Sequence, residues 1–143
     1  PTTALDVTVQ AQILNILNSL RKERKLSILF ISHDFGVISQ LCDRVIVMYA
    51  GSIVEEGLVK NIMQQAAHPY TSELIKCVPQ LGNKEHALHS IPGNPPSLNQ
   101  LPEGCAFANR CQYKQDQCLK GSVPISSKDN RSYKCFYPVG GAA

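Results

Sequence analysis

Residues 26–34, LSILFISHD, decide the fold class of this 143-residue chain. Residues 26–31 form an apolar run rich in strand-forming side chains, which predicts a buried parallel strand. The polar residues Ser32, His33 and Asp34 follow at once, where such a strand ends. Ligands of open α/β sheets bind beyond the carboxyl ends of the strands, so His33 is a candidate phosphate contact. The alternative is that Ser32 or Asp34 caps the next helix and that His33 is an ordinary loop residue.

A helix is predicted before this strand. Asp6 and Thr8 are good helix-start residues, and Asp6 can act as a plain N-cap. The basic run 21–25 complements the negative end of the helix dipole and closes the helix. One face carries apolar residues at helical spacing: Val9, Ile13, Ile16, Leu17 and Leu20.

The segment after the strand predicts a second helix and a β-hairpin. The helix covers residues 35–42, and strand-like runs at 44–49 and 52–57 flank the pair Ala50-Gly51. Weaker helical stretches at 59–67 and 71–78 follow, separated by Pro69. The order of elements predicts an α/β fold that resembles the closing part of a sheet, since a single buried parallel strand needs neighbours.

Composition narrows the class of protein. Hydrophobic residues make up 43% and charged residues 17%, which is ordinary for a globular chain and argues against wholesale disorder. No apolar run approaches the ~20 residues of a membrane-spanning helix, and no secretory signal is recognisable. From residue 79 onward Pro and Gly predict an irregular, extended segment. Residues 105–143 carry six Lys/Arg against two Asp/Glu, whereas residues 1–104 carry eight against nine.

Four cysteines share this basic tail, at positions Cys105, Cys111, Cys118 and Cys135. Because no export signal is recognisable, we expect the chain to be in a reducing compartment. A metal site is therefore a better interpretation of these four cysteines than disulfide bonds. Structural zinc sites commonly use cysteine pairs two to four residues apart, and none occurs here. The longer intervals favour an iron–sulfur centre, with zinc and unligated thiols as alternatives. Four cations are expected to lower the pKa of these thiols: Arg110, Lys114, Lys120 and Lys134.

The remaining cysteines, Cys42 and Cys77, lie in predicted helices. We expect them to be buried small apolar side chains rather than ligands.

Taken in order, these pieces resemble the C-terminal part of an ABC-transporter ATP-binding subunit. The resemblance rests on four features of the sequence. These are Pro-Thr-Thr-Ala-Leu-Asp at residues 1–6, the apolar strand, Ser-His-Asp at 32–34 and the hairpin at 45–57. Three further motifs are similar to the oligopeptide/dipeptide/nickel importer subgroup: His-Pro-Tyr-Thr at 68–71, Ile-Pro-Gly-Asn-Pro-Pro at 91–96 and Gly-Cys-Ala-Phe-Ala-Asn-Arg-Cys at 104–111. From its residues alone, His68-Pro69-Tyr70 is interpreted as a packing and turn element.

The resemblance implies roles for particular residues. Thr3-Ala4-Leu5-Asp6 corresponds to the family's D-loop, with Thr3 where Ser is usual, at a dimer interface that couples two ATP sites. His33 corresponds to the switch histidine, which contacts the γ-phosphate. ATP and Mg²⁺ are the implied cofactors of an intact subunit. A four-iron, four-sulfur cluster is implied for the C-terminal extension.

The resemblance also implies a domain division and partners. Residues 1–63 correspond to the closing portion of a P-loop (ABC-type) ATPase domain, and residues 64–143 to a small, irregular, Cys-rich extension. The partners would be a second ATPase subunit, transmembrane permease subunits and, indirectly, a solute-binding protein, at the cytoplasmic face of the membrane. No nucleic acid is expected. The cargo is a di- or oligopeptide, with nickel or another small solute as the alternative.

Two sequence motifs of the family are missing. The chain has no Gly-x-x-x-x-Gly-Lys-Ser/Thr phosphate loop and no Leu-Ser-Gly-Gly signature, and it begins directly after the expected position of the catalytic glutamate. We therefore expect the 143-residue chain alone neither to bind ATP tightly nor to hydrolyse it. A truncated, non-enzymatic metal-binding or interaction module remains an open alternative. A nucleic-acid-binding zinc module is disfavoured because no recognised motif accompanies the basic tail.

Overall fold

The computed structural model describes residues 6–78, 89–128 and 130–140. It divides into two compact units, Pro1–His33 and Asp34–Ala143. In the described part of the chain no helix is both long and apolar enough to cross a membrane.

The described residues of the first unit contain one helix, α1, at Val7–Arg24. The Asp6 side chain accepts a hydrogen bond from the backbone N–H of Val9 at 2.9 Å and so caps the helix. The helix ends at Lys25, whose φ of 52° is left-handed, after a last turn rich in cations. The predicted helix, its N-cap and its basic end are confirmed.

The buried parallel strand predicted at residues 26–31 is wrong. The segment is extended coil, and the side chains of Leu29 and Ile31 are 88% and 85% exposed. A strand needs a neighbour for its backbone hydrogen bonds, and the described residues of this unit contain no other extended segment that could supply them. Local apolar composition therefore did not suffice to form a sheet.

The second unit opens with helix α2, Phe35–Leu41, as predicted. The Asp34 carboxylate caps it by accepting from the backbone N–H groups of Gly36 and Val37, at 2.8 and 3.2 Å. Phe35, Val37, Ile38 and Leu41 are buried.

The predicted hairpin is confirmed as strands β1, Arg44–Tyr49, and β2, Ser52–Leu58. Its turn residues Ala50 and Gly51 have φ values of 46° and 79°. Positive φ at both central residues matches the right-handed twist of paired strands. Burial alternates along β1, where Val45, Val47 and Tyr49 face the core.

A second hairpin, which the sequence did not predict, completes the sheet. Strands β3, Ile125–Lys128, and β4, Arg131–Lys134, are antiparallel, and the sheet order is β1-β2-β4-β3. Pairing of Glu55 with Tyr133 and of Glu56 with Ser132 joins the two hairpins. The result is a small α/β unit with an antiparallel sheet.

Two short helices connect the hairpins to the segment that carries the cysteines. Helix α3 spans Val59–Gln65, and α4 spans Pro69–Lys76 with proline at its first position. The buried guanidinium of Arg131 donates to the carbonyl oxygen of Gln65, at the C-terminal end of α3. In the described residues farther on, single turns of 3₁₀-helix occur at Leu98–Gln100, Ala108–Arg110 and Asp116–Leu119.

Candidate functional site

A buried carboxylate fixes the link between α3 and α4. Glu55 on β2 is 0% exposed, and its two carboxylate oxygens accept from the backbone N–H groups of Ala67 and His68, at 2.8 and 2.9 Å. Hydrogen bonds to an ionised acceptor are the stronger kind. Glu55 therefore holds the start of α4 against the sheet at His68.

The imidazole of His68 is buried and hydrogen-bonded at Nδ1. It is 1% exposed, and Nδ1 accepts from the backbone N–H of Tyr70 at 3.1 Å. Burial lowers the pKa of His68 to about 4, so the ring is neutral near pH 7. A neutral ring that accepts at Nδ1 carries its proton on Nε2. Nε2 lies 3.9 Å from the sulfur of Cys105.

All four cysteines of the tail line one apolar pocket next to His68. The space enclosed between the side chains is about 10 Å³, near the lower limit for one water molecule. The backbone N–H of Cys105 donates to the carbonyl oxygen of Cys118 at 2.8 Å. This approach requires glycine at Gly104, where a Cβ would lie 2.3 Å from the same carbonyl oxygen. The pocket-lining cysteines are Cys105, Cys111, Cys118 and Cys135.

Three of these sulfurs accept hydrogen bonds from backbone N–H groups two residues later: Phe107 for Cys105, Tyr113 for Cys111 and Tyr137 for Cys135. Such donors stabilise negative charge on sulfur. They are outweighed by burial, which raises the pKa of the thiols of Cys105 and Cys111 and brings that of Cys135 to about 12.

The expectation that cations lower the pKa of these thiols is therefore wrong. One of the four predicted cations, Arg110, serves another purpose. Its guanidinium donates to the carbonyl oxygens of Pro92 and Ile91 at 2.9 and 2.8 Å and to the hydroxyl of Tyr49 at 3.3 Å. Arg110 thus fastens the segment at 91–93 to the sheet.

The three motifs singled out in the second half of the sequence meet in space. The ring of Phe107 lies 5.3 Å from that of Tyr70 and 5.3 Å from that of Tyr49, with distances taken between ring centroids. Tyr49 and Tyr70 are 4.6 Å apart. Arg110 stands 6.0 Å over Phe107. The rings of Tyr49, Tyr70 and Phe107 therefore build one aromatic wall beside the cysteine pocket. Arg110 links the Ile-Pro-Gly segment to this wall.

Glu73 of α4 makes a polar contact with Lys76 and His89. Glu73 accepts from Lys76 at 2.8 Å and lies 2.6 Å from Nε2 of His89. Burial alone would raise the pKa of Glu73, but hydrogen bonds from Lys76 and His89 together lower it. The contact with His89 ties residue 89 to α4.

Among residues 6–78, 89–128 and 130–140 no three His, Cys, Asp or Glu side chains are arranged to hold a metal ion. The expected iron–sulfur centre, the zinc alternative and the alternative of a stand-alone metal-binding module therefore have no support from this arrangement. Cys77 is exposed and Cys42 half-buried, so the expectation that both are buried is wrong.

The residues predicted to contact nucleotide lie at or near the ends of the first unit. His33 is exposed at its last position, and Asp34 caps α2, as the alternative interpretation expected. Asp6 caps α1. Ala4 and Leu5 lie outside the described residues.

Comparison with known proteins identifies the family. The family described as "Oligopeptide/dipeptide transporter, C-terminal region" matches residues 54–118, which run from β2 to Cys118. The oligopeptide transport ATP-binding protein OppD of Salmonella typhimurium is 44% identical over 139 residues, which cover 97% of this chain and 42% of that protein.

The chain belongs to the family of ATP-binding proteins of peptide transporters. OppD of Haemophilus influenzae is 52% identical over 119 residues, covering 82% of the chain and 36% of that protein. The probable D,D-dipeptide transport ATP-binding protein DdpD of Escherichia coli is 45% identical over 139 residues. These residues cover 96% of this chain and 42% of that protein. The chain spans about two fifths of the length of these relatives.

Sequence reasoning missed two residues of this site. Nothing in the strand-like run at 52–57 signals that Glu55 is buried beneath His68. The role of Arg110 as a clamp was also missed, although its place between two cysteines drew attention to it.

Proposed function

We propose that this chain acts within the ATP-binding subunit of an ABC importer of di- or oligopeptides. Identity of 44% along 97% of the chain to an oligopeptide transport ATP-binding protein carries this proposal. The activity of the whole subunit is ATP binding and hydrolysis with Mg²⁺, coupled to closure and opening of an ATPase dimer. Residues 1–63 belong to the ATPase domain and residues 64–143 to the Cys-rich extension.

His33 is the residue we assign to the γ-phosphate. Its exposure at the end of residues 26–33 leaves the imidazole accessible to a nucleotide. We assign Ala4, Leu5 and Asp6 to the dimer interface as the D-loop. Transmembrane permease subunits and a second ATPase subunit are the direct partners, at the cytoplasmic face of the membrane, and the solute-binding protein is an indirect one.

The test is ATP hydrolysis by the assembled transporter in vesicles. We expect His33→Ala to lower the rate at least about tenfold while nucleotide binding persists, because positioning of the phosphate contributes several kcal/mol to catalysis. Gln40→Ala, on the exposed side of α2, is the matched control and should leave the rate unchanged. An unchanged rate in His33→Ala would overturn the assignment.

For the cysteine pocket we propose ligation of a four-iron, four-sulfur cluster by Cys105, Cys111, Cys118 and Cys135. The donor set fits: four sulfurs line one pocket, and backbone N–H groups already point at three of them. Burial disfavours an isolated thiolate here, so a cationic iron centre would supply the missing charge compensation. The present space is about 10 Å³, so the pocket would have to widen to admit the cluster.

Anaerobic reconstitution with iron and sulfide tests the cluster. The unaltered chain should turn brown and contain equal amounts of iron and sulfide, about four of each per chain. Cys118→Ser should lose most of this colour, whereas Cys77→Ser, at an exposed cysteine, should keep it. A colourless chain, or one that holds a single zinc ion instead, would overturn the cluster.

A further inference from the structure

We propose that His68 is a positioning residue for Cys105, whose sulfur accepts a hydrogen bond from Nε2–H of the buried imidazole. This inference rests on the proposed cluster and assigns His-Pro-Tyr a role beyond a turn. The expected consequence is that the proposed cluster has a higher reduction potential than it would have on the same four cysteines without His68.

The direction of the hydrogen bond follows from the partner on the other ring nitrogen. The backbone N–H of Tyr70 can only donate, so Nδ1 must be the acceptor in their 3.1 Å contact. Nε2 is then the ring nitrogen that carries a proton. The sulfur of Cys105, 3.9 Å away, is the polar atom in position to accept it. The distance is long for a neutral thiol and would shorten toward a negatively charged sulfur.

The imidazole cannot easily turn away from this sulfur. Its backbone is held by Glu55 through the 2.9 Å hydrogen bond to the His68 N–H. His68 is the N-cap of α4, and the next residue, Pro69, is the first residue of that helix. The ring also packs 6.0 Å from that of Phe107. These contacts come from three different segments, so the orientation of Nε2 is built into the fold.

Hydrogen bonds to the sulfurs of an iron–sulfur centre are one of the determinants of its potential. A donor stabilises the more negative, reduced state more than the oxidised one. Cys105 then differs from the other three cysteines, since it receives a side-chain N–H in addition to backbone donors. Loss of that donor should shift the potential downward.

Two substitutions of His68 test the roles of the two ring nitrogens separately. His68→Asn keeps an acceptor near the position of Nδ1, so it can still cap α4, but lacks a donor at the position of Nε2. His68→Gln places an amide N–H near the position of Nε2. We expect the reconstituted His68→Asn chain to have a more negative potential, with about a tenfold change in the equilibrium between reduced and oxidised cluster, which is ~59 mV. His68→Gln should restore most of the shift.

The readout is a potentiometric titration followed by visible absorbance, with thermal unfolding of each apo chain as the check on folding. Equal potentials in the unaltered, His68→Asn and His68→Gln chains would overturn the role of His68 while leaving the cluster intact. Absence of a cluster in the unaltered chain would overturn both. Nitrogen-15 NMR of the apo chain supplies an independent measurement: protonation of Nδ1 instead of Nε2 would also overturn the proposed hydrogen bond.

Discussion

Glu55 holds His68 in place through a hydrogen bond of 2.9 Å between its carboxylate and the backbone N–H of that histidine. The two residues are 13 positions apart, on β2 and at the start of α4. The same carboxylate accepts from Ala67 at 2.8 Å. A side chain that is 0% exposed thereby connects the sheet to the pocket.

Glu55→Ala should destabilise the chain by about 3 kcal/mol, because two buried backbone N–H groups lose a charged acceptor. The free energy of unfolding in urea measures the effect. Glu56→Ala is the control: its carboxylate is only partly buried and accepts from the Ser132 hydroxyl at 2.9 Å, so a loss below about 1 kcal/mol is expected. Equal losses for the two variants would contradict the role assigned to Glu55.

Arg110→Lys should release the segment at 91–93 while leaving the aromatic wall in place. Lysine keeps the charge but cannot donate from a planar fork to two carbonyl oxygens and a hydroxyl. Amide hydrogen exchange of a peptide spanning residues 89–97 should become about tenfold faster, corresponding to ~1.4 kcal/mol of local stability. Lys114→Met, at an exposed cation, should have no such effect. Unchanged exchange in Arg110→Lys would show that the clamp contributes nothing.

Gly104→Ala should separate Cys105 from Cys118. The new Cβ would stand 2.3 Å from a backbone carbonyl oxygen, which cannot move aside as a flexible side chain could. The buried thiol of Cys118 should then react faster with iodoacetamide. Gly121→Ala meets no atom within 4 Å and costs only the left-handed backbone, at φ 67°. Alkylation of Cys118 at the same rate in both variants would argue against a close approach of the two cysteine loops.

The contact of Glu73 with Lys76 and His89 should make the free energy of unfolding depend on pH. The folded pKa of Glu73 lies below its ordinary value of 4.5 because the hydrogen bonds from both partners outweigh burial. The unfolded chain therefore binds the proton more readily, so the stabilisation is present above pH 4.5 and is lost as the pH falls through the folded pKa. Glu73→Gln should flatten the loss of unfolding free energy below pH 4.5, whereas Glu103→Gln, at an exposed position, should not. A slope unchanged by Glu73→Gln would exclude this contribution.

The hairpin of β1 and β2 could be predicted because its signal is local. Alternating burial and the turn at Ala50-Gly51 lie within one stretch of chain. The strand expected at 26–31 failed for the opposite reason, since its formation depends on neighbours that the described residues of its unit lack. The C-terminal hairpin was missed because β3 is polar and mostly exposed, with Ser126, Ser127 and Lys128 in a strand of four residues.

The sequence predicted which four cysteines share the candidate site, but it did not predict how buried they are. Spacing and composition grouped the four cysteines, and they do line one pocket. The pKa of the thiols of Cys105, Cys111 and Cys135 was predicted with the wrong sign, because charge along the sequence does not reveal burial. Helix α4 begins at Pro69 rather than at Thr71, since proline is tolerated in the first turn of a helix.

The pairing of β2 with β4 has a consequence for the order of assembly. It closes a loop that runs from Glu56 to Ser132, and Cys135 follows directly after β4. Contacts this distant in sequence carry the entropy of closing a long loop, so we expect this pairing to form late in folding. The last of the four sulfurs can therefore reach its companions only when the final strand has docked. For the proposed four-iron cluster, uptake that requires all four sulfurs would therefore occur only in chains that have finished folding, and would hold the C-terminal strand in place.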